Sequence, residues 1–439
     1  MNGSFLTALP ETWTIDRLKD VVRLRNEKTD VSSDIEDYLE LEDLESGSGR
    51  ILNRRNTLGV ESSVILFSKG DILFGKLRPY LEKFYEAEFD GKCTGEILAF
   101  EPKRITGRFL FYCLASPWFI EQCNMLAYGT KMPRINWPTQ LAQFNMPLPP
   151  PEEEKRIAAY LDAGCEAIDA AVAAKRKQLE ILETMRKSVI HQAVTKGLHR
   201  DVRVRPSGID WLPEIPAHWS VRHIKRRCAL LRGKFSHRPR NDPALYDGPY
   251  PFIQTGDISA AQKYIEGHSQ TLNELGLSVS KMFPRGTLVM SIAANIGDVA
   301  IINFEACFPD SIVGLAPDHQ TSLDYLYYLL LAMKEIMLRS AVLTTQLNLN
   351  YVRIGNNYAA FPPKQEQVEI AAFLDKKNSE VQALKSVLLK QIDTLTAYRK
   401  SLIHECVTGR RRITEGDIGA MQNNVDAMKE AVIGEKVYA

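Results

Sequence analysis

The chain has 439 residues, 45% hydrophobic and 25% charged, the composition of an ordinary folded protein with room for roughly two to four folding units. These figures exclude a disordered chain and a small scaffold that depends on cross-links. A formal net charge of +1 also excludes a uniformly basic surface, so any anion-binding face must come from uneven charge placement.

The first residues, Met1 to Trp13, lack the basic and apolar regions of a signal peptide, which predicts a cytoplasmic protein. Leu9-Pro10-x-x-Trp13 is followed by Leu18-Lys19, and then by a dense acidic block from Asp30 to Glu45. Lys69-Gly70-Asp71-Ile72-Leu73-Phe74 reads as a turn and a buried strand, and Gly75-Lys76-Leu77-Arg78-Pro79-Tyr80 as a turn carrying two cations and an aromatic. The apolar run Phe109 to Leu114 precedes a loop, Tyr128 to Trp137, that mixes Lys131, Arg134, Asn136 and Trp137. Pro149-Pro150-Pro151 closes this first globular part, residues 1–148, and opens a first long helix over 149–197.

Gly197 supplies the stop, and residues 198–214, with Pro206, Ser207, Gly208 and Pro213, read as an exposed linker. A second globular part, 215–361, starts at Ile215-Pro216-x-x-Trp219. From Ile215 to Asn241 it has no acid but carries Arg222, Lys225, Arg226, Arg227, Arg232, Lys234, Arg238 and Arg240. That one-sign stretch is a candidate electrostatic footprint. The apolar run Tyr325 to Leu338 is interrupted by Lys334 and Glu335 and is too short for a bilayer. After Thr344-Thr345-Gln346-Leu347-Asn348-Leu349-Asn350, Pro362-Pro363 opens a second long helix, 362–412, and residues 413–439 form a tail.

The chain is thus written twice. Leu9 to Trp13 matches Ile215 to Trp219, Lys69 to Phe74 matches Arg285 to Met290, and Phe109 to Leu114 matches Tyr325 to Leu330. Thr130 to Trp137 pairs loosely with Thr344 to Tyr351. The longest match runs from Ile157-Ala158-Ala159-Tyr160-Leu161-Asp162 against Ile370-Ala371-Ala372-Phe373-Leu374-Asp375 to Val194-Thr195 against Val407-Thr408. The tail has no echo, and the Gly208-x-x-Trp211 lead-in to the second part has none before the first.

Acids at Glu152, Glu153 and Glu154 suit a helix N-terminus, and no proline interrupts the following stretch, which would be about 65 Å long as a helix. Ile168, Val172, Leu179, Leu182 and Val189 form an apolar seam, as do Val381, Leu388, Ile392, Leu395 and Leu402. Since each helix carries a matching seam, an intramolecular coiled coil is the plain reading, with a seam for an external protein as the alternative.

Catalytic motifs are missing. There is no P-loop, no Asn/Asp-Pro-Pro-aromatic methyltransferase motif, no His-Glu-x-x-His and no Gly-x-Ser-x-Gly. Asp90 with Glu101-x-Lys103 loosely imitates a nuclease metal site but has no counterpart in the second half. The seven cysteines contain no Cys-x-x-Cys pair and read as reduced, buried thiols. What remains is chemistry suited to reading double-stranded DNA. Arg and Lys pair with guanine edges or phosphates, and Asn and Gln pair with adenine. The candidates are Lys76, Arg78, Tyr80, Lys131, Arg134 and Asn136 in the first half. In the second they are Arg232, Lys234, Arg238, Thr345, Gln346, Asn348 and Asn350.

The twice-written Pro-Pro-x-x-Glu-x-x-x-Ile-Ala-x-aromatic-Leu-Asp helix opening resembles type I restriction-modification specificity subunits. So do Gly208 to Trp219, Gly70-Asp71-Ile72-Leu73 and Lys76-Leu77-Arg78-Pro79, within a resemblance from about Leu9 to about Arg412. It implies an α+β chain of two similar mixed α/β target-recognition domains, joined by two long helices in an antiparallel coiled coil that sets the distance between two half-sites. It further implies two methylation subunits that bind S-adenosylmethionine, and two motor-nuclease subunits using ATP and Mg²⁺, with no cofactor on this chain. A two-headed protein-interaction adaptor is the rival reading, and a self-contained nuclease a distant third.

Overall fold

A computed structural model describes residues 9–26, 28–29, 37–56, 64–199, 201–339, 342–343, 347–348 and 351–423. The chain divides into two compact units, Met1–Lys177 with Leu388–Ala439, and Gln178–Val387. Each contains one mixed α/β globular part, the start of one long helix and the end of the other.

In the first unit, the strand Thr14–Arg17 pairs antiparallel with Asn145–Leu148, so the globular part closes on itself just before the helix begins. A four-stranded antiparallel sheet follows in the order Val22–Leu24, Ile97–Pro102, Ile72–Gly75, Phe84–Glu86. Gly70 turns the chain into the third of these with φ +89°, a conformation in which a Cβ is strained. The buried Asp71 beside it accepts from Ser68 N at 2.7 Å and from Arg25 Nε at 2.9 Å. A second sheet orders Lys28–Thr29, Val64–Phe67, Gly91–Cys93, Asp37–Leu39 and Arg55–Asn56. The acidic block is partly neutralised there, because Arg55 bonds Glu40, Glu42 and Asp43. Two helices, Gly107–Ala115 and Pro117–Leu126, supply Phe109, Leu110, Trp118 and Phe119 to the core.

The second unit repeats this frame. Ser220–His223 pairs with Tyr358–Phe361, and the main sheet is Cys228–Arg232, Ile312–Pro317, Leu288–Ser291, Val299–Ile302, Tyr264–Ile265. Gly286 takes φ +82° where Gly70 stands in the first copy. The helix Leu323–Arg339 buries Tyr325, Tyr327, Tyr328 and Leu329, corresponding to the first copy's Phe109 run. All seven cysteines are buried free thiols, and burial pushes Cys93 and Cys228 up to about 12.

The segment read as a linker is not one throughout. Val204–Ile209 and Leu212–Pro216 form an antiparallel hairpin, irregular at Pro206 to Ile209, where Gly208 takes φ +74°. Ile209, Leu212 and Ile215 are buried in the core that holds Trp219. Proline and glycine content suggested an exposed connection, but a short strand needs only alternate apolar positions.

The long helices span Pro151–Lys196 and Lys364–Val407. The seam positions are buried or half-buried in both, with none exposed. The pairing is antiparallel within each unit. In the first, Arg399 meets Asp169 at 3.1 Å and Leu402 lies against Gly164. In the second, Arg186 meets Asn378 at 2.8 Å and Lys385 meets Glu183 at 3.4 Å. Each helix ends on a left-handed glycine that fits against a tryptophan anchor. A Cβ on Gly409 would sit 2.5 Å from Pro10 and 3.4 Å from Trp13, and one on Gly197 3.3 Å from Trp219.

The twice-written motif also makes the same contacts twice. Asp162 accepts from the Tyr112 hydroxyl and Arg108, both at 2.6 Å, while Asp375 accepts from the Tyr328 hydroxyl and Lys263, both at 2.6 Å. In the first turn of each long helix, Glu154 accepts from Thr106 N at 2.7 Å and Gln367 from Ser322 N at 2.8 Å, so each caps the start of a core helix.

Glu154 is the costlier of these two caps. Burial raises its carboxyl above the ordinary range, against the lowering effect of the Thr106 bond. A carboxyl raised by folding contributes most below its unfolded value, and its contribution falls as pH rises through the raised value. The E154Q variant installs the second unit's own solution. It should melt above the wild type at neutral pH, by about 2–4 °C per kcal/mol recovered. The difference should shrink as pH falls through the raised value and be gone below the ordinary carboxylate range. A variant that melts lower at pH 7 would show that the charged cap outweighs its burial.

Candidate nucleic-acid interface

In the first unit, two loops from distant parts of the sequence are laced together. Leu77 and Arg134 form an antiparallel bridge, Ile135 N donates to Lys76 O at 3.0 Å, and Arg78 N donates to Pro133 O at 2.7 Å. The loop from Tyr128 to Arg134 closes on itself through reciprocal backbone bonds of 3.0 Å. Gly129 makes this closure possible with φ +102° and a Cβ position 3.2 Å from Met132 O. Tyr80, Tyr128 and Met132 stand on the rim with 52%, 59% and 51% of their surface exposed, so an aromatic and apolar fringe surrounds the cations.

The six first-half candidates separate by partner. Lys131 is exposed, and Lys76 is half-buried beside Arg78. Arg78 donates from Nη2 to Lys131 O at 3.2 Å and adopts φ +50°, a left-handed conformation that a non-glycine residue seldom takes. Arg134, by contrast, is held by Glu96, with Nε 3.1 Å from Oε2 and Nη2 3.3 Å from Oε1. Its hydrogen bonds to Glu96 keep the guanidinium above its ordinary value. Asn136 uses its side-chain oxygen on Thr139, at 3.2 Å from N and 3.0 Å from Oγ1, and so shapes a turn. Arg134 and Asn136 therefore position the loop, while Lys76, Arg78, Tyr80 and Lys131 present it. Glu96 is not legible in the sequence, because its partner lies 38 residues away and no local pattern marks the pair.

In the second unit, Arg232 ends its strand exposed, with its guanidinium carbon 5.9 Å from the Tyr351 ring centroid. Lys234 is exposed while its backbone is fixed, donating to Phe308 O at 3.0 Å and accepting from Ser280 Oγ at 2.8 Å. Arg238 spends its guanidinium on its own turn, donating to Phe235 O and His237 O at 2.8 Å and to Asp310 at 3.5 Å. Thr345, Gln346 and Asn350 lie outside the described residues, and Asn348 is described only as backbone in the short strand Leu347–Asn348.

The nuclease imitation does not assemble around an ion. Asp90 accepts from Lys69 N at 2.7 Å, and Glu101 pairs with Lys103 and Arg25. Among the described residues no group of three His, Cys, Asp or Glu could hold a metal, and no helix is long and apolar enough to cross a membrane.

Comparison with known proteins converges on one family. The family model described as "Type I restriction modification DNA specificity domain" matches residues 10–180 and 232–393. A Methanocaldococcus jannaschii protein assigned as the type I restriction enzyme MjaX specificity subunit is 25% identical over 364 residues, covering 78% of this chain and 79% of that protein. The MjaVIII specificity subunit of the same organism is 28% identical over 203 residues, 43% of this chain and 46% of that one. A chain from a solved type I R-M system superimposes with a TM-score of 0.73 at 20% identity, covering 92% of this chain and 99% of that chain. This last likeness is one of fold.

Proposed function

The chain belongs to the type I restriction-modification DNA specificity family, and from that premise we propose that its two globular units read separate halves of one split DNA target. It is a non-catalytic specificity subunit with two target-recognition domains, working with DNA and with the other subunits of a restriction-modification complex. The observation that carries the half-site reading is a frame written twice with different chemistry on its loops. Strand pairings, turn glycines and the Tyr–Asp contacts recur, whereas the cations and aromatics around Arg78 have no residue-by-residue echo.

Two methylation subunits would bring S-adenosylmethionine and flip the target adenines, and two motor-nuclease subunits would bring ATP and Mg²⁺. The long helices would dock the methylation subunits and set the half-site spacing. Docking is supported by apolar side chains left open on them, Ile181, Met185, Leu384 and Val387 at 49%, 56%, 52% and 54% exposure.

The test joins binding to chemistry. The purified chain alone, given labelled S-adenosylmethionine and duplex DNA, should transfer no methyl group. With its methylation subunits it should direct adenine methylation to one bipartite motif. Methyl transfer by the chain alone, or methylation of a single continuous motif, would sink the proposal.

A further inference from the structure

The two units share a frame but differ in charge at one place on it. In the second unit the strand Ser220–His223 runs into a short helical turn, Ile224–Arg226, where Arg222, Lys225 and Arg226 are exposed. Among the described residues none of these three has an ion-pair partner. Their backbone is held firmly. Arg222 pairs with Ala359, Ile224 N donates to Asn357 O at 3.0 Å, and the His223 ring stacks on Tyr358 with centroids 3.8 Å apart. The turn packs on the helix Tyr351–Asn356, where a Cβ on Gly355 would lie 3.1 Å from Lys225 Cβ. That helix starts at Tyr351, the residue whose ring Arg232 approaches, directly after the candidate loop 344–350.

Counting from Trp13 and Trp219, the first unit has Asp16, Lys19 and Asp20 where the second has Arg222, Lys225 and Arg226. The equivalence is also structural, since Leu18 N donates to Phe144 O at 2.8 Å just as Ile224 N does to Asn357 O. Asp16 is itself paired with Arg104 at 2.8 Å.

We propose that Arg222, Lys225 and Arg226, continued by Arg232, form a strip that grips the phosphodiester backbone of DNA, and that the first unit has no such strip. The inference rests on the DNA-reading function proposed above and adds where the sequence-independent part of binding is concentrated. Unpaired cations on a backbone already ordered displace the counterions condensed on a polyanion and need no further backbone ordering. At the matching positions the first unit offers one cation, Lys19, beside Asp20 and an Asp16 already paired with Arg104.

The test is the salt dependence of duplex binding by the full chain, with and without the recognised motif in the duplex. At a slope of about 0.9 per phosphate contact, R222A/K225A/R226A should flatten the plot of log Kd against log salt by up to about 2.7. Between 50 and 200 mM salt, the wild type should then lose about 40-fold more affinity than the variant. The loss should be the same on DNA without the motif, with the methylated motif unchanged. K19A should alter the slope by less than one contact. An unchanged slope in the triple variant, a loss confined to motif-bearing DNA, or an equal drop from K19A would each overturn the strip. A wild-type chain that binds duplex neither alone nor assembled with its methylation subunits would instead overturn the DNA-reading proposal beneath it.

Discussion

Replacing Lys76, Arg78 and Lys131 with alanine should erase one half of the methylated motif and leave the other half intact. These side chains stand on two loops laced by the backbone bonds of Lys76, Arg78, Pro133 and Ile135, so truncation leaves that lacing in place and removes from it only the Arg78 Nη2 bond to Lys131 O. A bidentate base contact is worth about 1–3 kcal/mol of discrimination, so losing one makes the half-site roughly 5- to 150-fold less selective. Arg78 offers a sharper form of the experiment. Its φ of +50° favours glycine, so Arg78→Gly removes the guanidinium and relieves the backbone together. That variant should melt at or above the wild-type temperature while losing selectivity. Methylome sequencing of cells carrying each variant reads the outcome directly. Degradation of both half-sites alike would end the assignment of one half to one unit. Equal weakening on unrelated DNA would reduce the three residues to phosphate contacts.

The parts of this molecule that sequence reveals are those whose cause is local or repeated. Prolines, a first turn of acids, an uninterrupted seam and a terminal glycine place the first long helix, because each signal acts within a few residues, and a proline pair and a matching seam place the second. The repeat then identifies the matching seam. Gly70 and Gly286 can be read as turn positions for the same reason. What stays hidden depends on contacts made across the fold. Asp162 and Tyr112 both sit in recurrent motifs, yet nothing in either motif says that they touch. Arg134 looks like a DNA-reading arginine until Glu96 arrives from another strand end. Arg238 looks equally available until its own backbone carbonyls claim it. Cation type can be read from the letters, whereas cation availability is set by distant partners. The hairpin at Val204 to Pro216 was obscured because three buried side chains suffice to hold it amid turn-forming residues.

Lengthening both long helices together should move the two half-sites apart on DNA without changing either. The chain passes from one unit to the other at Lys177–Gln178 and at Val387–Leu388, both within those helices. Four residues inserted after Ala174 add about 6 Å of helix, close to two base-pair steps at about 3.4 Å each. Four residues also exceed one turn, rotating the seam by about 40°, so that Leu179 and Leu182 would leave their partner face. A single insertion should therefore lower the melting temperature. A matching insertion after Val387 restores the antiparallel register and should recover it. The doubly extended subunit, assembled with its methylation subunits, is expected to methylate the same two half-sites across a spacer about two base pairs longer. The melt separates the possible outcomes, because a double variant that has regained its stability must declare a spacer. If that spacer is the original one, the helices hold the units together without measuring the distance, and the spacing must be set elsewhere in the assembled complex.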